Sequence, residues 1–155
     1  MNRRSLLIAT IALVAPLLVA NERAQAGPDE ISVVVNKSCA VSSMNRAQLS
    51  ALFKAKSSQF PGGNTATAVN LPPENPSRQD FDSAVLGLSP DEVERFWLDS
   101  KIRSGVGSPR KLSGPASVVR FVGSDPTGIG YVPSADATAA VRVVARIRGG
   151  EVLVP

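Results

Sequence analysis

The stretch VVRFVGSDPTGIGYVP, residues 118–133, decides the fold. From Pro115 onward, Val118, Val119 and Val122 repeat at the spacing of one helical face, with Gly123 expected to close the helix. Asp125-Pro126 then supplies turn chemistry, Gly128 is expected at a positive φ, and 129–132 reads as a short apolar strand. A helix that hands over to a buried strand through a tight turn is the repeating unit of an α/β domain.

Upstream and downstream stretches follow the same alternation. Residues 31–35, ISVVV, are β-branched and apolar and read as a buried strand. Asn45 with Gln48 three residues later has the spacing of a capping box, and Leu49, Leu52 and Phe53 share a face of the helix it starts, which should stop near 54–56. Residues 66–71 read as a second strand. Asn75 is then a helix N-cap with Pro76 at the first helical position, and Phe81, Ala84, Val85 and Leu88 form the inward stripe, with Gly87 marking the end. Ser89-Pro90-Asp91-Glu92 starts another helix, with Val93, Phe96 and Trp97 facing the core. Residues 103–113 read as a basic, glycine-bearing loop, 141–145 as a further strand, and 152–154 as an extension or edge. The expected fold class is α/β, a mostly parallel sheet flanked by helices.

The first 26 residues read as an export signal. Arg3 and Arg4 precede an apolar run over 6–20, and Ala24-Gln25-Ala26 offers small residues for cleavage. The run falls short of the ~20 apolar residues of a spanning helix, so no membrane span is expected after cleavage. Cys39, the one cysteine, lies far beyond a lipoprotein cleavage site. Residues 27–155 suffice for one compact domain, expected to be periplasmic or secreted. The formal charge of +4 falls when Arg3, Arg4, Arg23 and Glu22 are removed with the signal. With one tyrosine, one tryptophan and scattered cations, there is no basic stripe with stacking aromatics, and nucleic acid is not an expected partner.

The chain has no histidine, which removes the commonest general base and the commonest metal ligand. No serine sits in a nucleophile elbow, and no cluster has metal-ligand spacing. Enzymatic chemistry and a cofactor are therefore not expected.

Three stretches in order, ISVVVNKS with LFKAK and FPGG, then VNLPPENPSRQDFDSAVLGLSPDEVERFW, then VVRFVGSDPTGIGYVP, resemble the phosphate-binding substrate-binding components of ABC importers, and more closely the short exported proteins similar to them. LFKAK stands for that family's IFxGK and GIGYV for its GAIGYV; the likeness covers roughly residues 31–133. It implies a single lobe of a type II periplasmic-binding-protein-like fold, in which an Arg and a glycine-rich helix start meet phosphate.

Aligning Phe81 with the family's helix aromatic puts Ser77 at its Thr, Asn75 at its Ser and Leu71 at its Arg, while Glu74 and Pro76 replace its two glycines. The resemblance thus offers Asn75, Ser77 and Arg78 as contacts to phosphate or another small oxyanion. Arg110 and Lys111, from the basic loop, are a second candidate set. The plainer reading of 71–81 is a capped helix start carrying a surface arginine, with no ligand. Two functions compete: an anion-binding domain serving an ABC transport or sensing system, and an interaction module that docks on a transporter, sensor or other envelope protein.

Overall fold

A computed structural model describes residues 28–155; the expected signal segment lies outside these residues. Six strands form one sheet in the order β3-β2-β4-β1-β5-β6. In chain order these are β1 (Ile31–Asn36), β2 (Thr67–Asn70), β3 (Arg110–Lys111), β4 (Gly128–Pro133), β5 (Val141–Arg148) and β6 (Glu151–Leu153). Four helices intervene: α1 (Arg46–Phe53), α2 (Pro76–Phe81, continued by a wider π-type turn over Asp82–Leu86), α3 (Pro90–Ser104) and α4 (Pro115–Ser124). The chain is α/β as expected, but the sheet is mixed. Parallel pairing is confined to β2 with β3 and β4, whereas β1 is antiparallel to both β4 and β5, and β6 to β5. The physical reason is connectivity: β2, β3 and β4 are separated by helices that allow a parallel return, and residues 134–140 cross over so that β5 runs parallel to β4 with β1 inserted between them in the opposite direction.

β1 is buried along its whole length, which is why it is a run of apolar residues instead of an alternating one. α4 packs Val118 and Val122 against β4, where Gly128 and Gly130 make room for it. A Cβ on Gly130 would lie 2.6 Å from Val118 Cγ1, and one on Gly128 3.1 Å from Val122 Cα. The expected positive φ at Gly128 is therefore not found; close backbone approach, not a left-handed turn, calls for glycine there. α4 also runs through Gly123 to Ser124. Buried Asn36 of β1 donates from Nδ2 to the carbonyls of Val122 and Gly123 at 2.8 and 3.0 Å, closing the helix end from outside.

On the other face, Tyr131 stacks on Phe81 with centroids 3.9 Å apart, and Phe53 meets both rings edge-on. Each such pair adds about 0.5–1.5 kcal/mol beyond the area it buries. These three rings, from β4, α2 and α1, pin the end of α2 against β4 and α1. The caps read from the sequence form: Asn45 with Gln48, Asn75 over the Ser77 N–H, and Ser89 with Glu92. Among the described residues no helix is long and apolar enough to cross a membrane.

Candidate functional site

The turn from β2 into α2 lies beside the carboxyl ends of parallel strands β2 and β4, where ligands of open α/β sheets commonly sit. Its backbone donors are taken within the turn. The Ser77 N–H bonds to Asn75 Oδ1 at 2.9 Å, and the Arg78 and Gln79 N–H groups both bond to the Asn75 carbonyl. Pro76 has no N–H, and the Asn75 N–H is taken by the Pro72 carbonyl at 3.0 Å. The first turn thus satisfies itself without an anion.

Arg78 is not the surface arginine of the plainer reading. It is 5% exposed, donating from Nε to Asp82 at 3.2 Å and from Nη1 to the Leu71 carbonyl at 3.0 Å. Burial pushes the Asp82 carboxyl up from the ordinary aspartate range, against the opposing pull of the Arg78 guanidinium. Beside this pair, the Tyr131 hydroxyl donates to Asn70 Oδ1 at 3.1 Å and accepts from the Leu71 N–H; burial pushes the phenol well above its usual range. The arginine that could have met a ligand is committed to holding the β2–α2 corner.

Two depressions flank Lys111. The first, of about 400 Å³, lies between α2 and α3, with Pro73, Arg78, Asp82, Glu94, Trp97 and Lys111 among its walls, and Asp91 at its rim. Arg78 is paired within it, so Lys111 faces the two acids of α3, a balance that disfavours an anion. Trp97 is 8% exposed and packs edge-on against Phe96, a core residue as its helical spacing implies.

The second depression is a groove of about 460 Å³ between β3 and α4. Arg110, Lys111 and Arg120 line it together with Ser113, Ser117 and Ser124, and no carboxylate does. None of its three cations forms an ion pair among the described residues. Arg110 and Lys111 are therefore brought together, but in a short edge strand beside β2 and not in the expected loop, because α3 runs on to Ser104 and the following residues pair with Val69 and Asn70. They lie apart from Asn75 and Ser77, which line neither depression. Arg120 and the serines escaped the reading of the sequence. The available signal was position: Arg120 falls off the Val118, Val119, Val122 stripe of α4, and so faces away from the core. Among the described residues no group of three acidic or cysteine side chains could hold a metal ion.

This architecture, a helix-flanked mixed sheet, resembles one lobe of the periplasmic-binding-protein fold. Its solved counterparts are phosphate-transport binding proteins. An ABC-type phosphate transport receptor from Vibrio cholerae superposes with a TM-score of 0.62 at 18% identity, over 76% of this chain and 46% of its own. A Clostridium perfringens protein solved with bound phosphate gives 0.62 at 16% identity, over 76% and 45%. PstS from Borrelia burgdorferi gives 0.57 at 10% identity, over 76% and 47%. The chain spans a little under half the length of each, and at these identities the likeness is one of fold. No protein-family model matches the chain, and no curated protein matches it.

Proposed function

We propose that this chain is an exported, non-enzymatic, phosphate-binding-protein-like domain that contacts phosphate or another small oxyanion for an ABC transport or sensing system. The carrying observation is the β3–α4 groove, in which Arg110, Lys111 and Arg120 gather with three serines and no carboxylate, on a fold shared with phosphate-transport proteins. Of the contacts the resemblance offers, Arg78 donates to Asp82 and to the Leu71 carbonyl, and the Ser77 N–H is taken by Asn75 Oδ1, which favours Arg110 and Lys111. A thermal-melt series of residues 27–155 with phosphate, sulfate, molybdate and acetate tests this. An anion at ~100 times its Kd adds about 2.7 kcal/mol, a shift of several degrees. The double variant Arg110→Gln/Lys111→Gln should abolish the shift, and Ser77→Ala should keep it. If no anion exceeds a chloride control at matched ionic strength, the reading fails.

The second reading is an interaction module without a ligand, docking on a transporter, sensor or other envelope partner. The observation favouring it is the start of α2, whose backbone N–H groups are taken within the turn itself. Absence of any anion response together with capture of a defined transporter or sensor subunit by the purified domain would support it.

A further inference from the structure

The groove that carries the oxyanion reading is larger than a bare ion requires. Its volume of about 460 Å³ falls within the roughly 300–1,000 Å³ of sites that hold organic molecules. Its walls also differ in chemistry. Arg110, Lys111 and Arg120 supply charge, whereas Leu112 and Phe121, both only partly buried, supply apolar surface. The Phe121 ring lies close to Gly128, where an added Cβ would come within 3.3 Å of its Cε1.

Energetics separate the two kinds of wall. The three cations are exposed, and salt and water screen their attraction for an ion held among them. A tetrahedral oxyanion alone would leave Leu112 and Phe121 in contact with water. An anion carrying an apolar group would cover them, and removal of that surface from water adds affinity that screening does not touch.

Resting on the oxyanion reading, we infer that the groove takes a small organic phosphate monoester, its phosphate among Arg110, Lys111 and Arg120 and its ester group against Phe121 and Leu112. No bond is made or broken in this step. Selectivity comes from the ester group, and the positive wall serves any oxyanion headgroup equally.

The test is calorimetric titration of residues 27–155 with inorganic phosphate, phenyl phosphate and phenol. Phenyl phosphate is expected to bind at least about tenfold more tightly than inorganic phosphate, with phenol alone giving no measurable heat. Phe121→Ala should erase the difference between the two phosphates. Phe121→Leu, which keeps an apolar side chain and guards against misfolding, should retain part of it. Equal binding of the two phosphates overturns the inference and leaves the oxyanion reading intact. A preference for phenyl phosphate that survives Phe121→Ala also overturns it. No binding of either phosphate defeats both readings.

Discussion

Arg78 donates to Asp82 from one α-helical turn into the π-type turn that follows, at 3.2 Å, with both side chains almost wholly withdrawn from water. Because Arg78 also donates to the Leu71 carbonyl, its loss strands two buried acceptors. Arg78→Met is expected to cost about 3–5 kcal/mol near neutral pH, read from denaturant unfolding. The double variant Arg78→Met/Asp82→Leu should recover much of that loss. Asp82 is raised by burial, so its preference for the protonated form stabilises the fold below the ordinary aspartate range and is lost as pH rises through the raised value. The penalty of Arg78→Met should therefore shrink in acid. A double variant no more stable than the worse single would sink the pairing.

Ala55 follows the cap of α1 at φ 54°, the one non-glycine residue in the left-handed region among the described residues. Left-handed backbone costs an L-residue about 1–2 kcal/mol, and a glycine loses about 0.4–1 kcal/mol more chain entropy on folding. Ala55→Gly should therefore raise stability by roughly 0.5–1 kcal/mol. A lower melting temperature in this variant would contradict the account.

Gly130 and Val118 compete for the same space at the α4–β4 contact. Gly130→Ala would set a methyl 2.6 Å from Val118 Cγ1 and 3.1 Å from Val69 Cγ2. The expected loss is about 1–3 kcal/mol. Pairing it with Val118→Ala opens the space on the helix side, and the double variant should be less destabilised than the two single losses summed. Strict additivity in calorimetric unfolding would argue against the contact.

Glu30 ties the chain ahead of β1 to β5 and the turn after β4. Arg146 donates to it at 2.7 Å, Ser134 at 3.0 Å, and Arg148 to its other oxygen. Hydrogen bonds from Arg146 and Ser134, with the Arg148 charge, hold its carboxyl below the usual glutamate range. A depressed pKa contributes stability that is present above the ordinary value and lost as pH falls through the folded one. Stability curves of the parent and Glu30→Gln should separate at neutral pH and converge in acid. Parallel curves across the acid range would remove Glu30 from the acid response.

What could be read from the sequence was what short-range physics sets. Asn45, Asn75 and Ser89 cap their helices as spacing implied, since each cap reaches only two or three residues along the chain. The stripes of α1 and α4 face the core for the same reason. The antiparallel partners of β1 were hidden, because an apolar strand buried on both faces carries no mark of its neighbours' direction. Arg78 was misplaced although Asp82 stood four residues on, because the decisive contact, the Leu71 carbonyl, exists only once β2 and α2 meet. The candidate groove was half visible: Arg110 and Lys111 stood adjacent, but Arg120 joins them only through packing of α4 beside β3.

The position of β1 has a kinetic consequence. The first strand of the described chain lies between β4 and β5, and its Ser32 shares a hydrogen bond with Ser134, 102 residues away. A central strand with such distant neighbours pays its loop-closure entropy before any ladder forms, the arrangement that slows folding most. β1 therefore waits for residues near 147, its last partners, before it can pair on both sides. A growing chain holds its sheet open until the residues of β5 arrive.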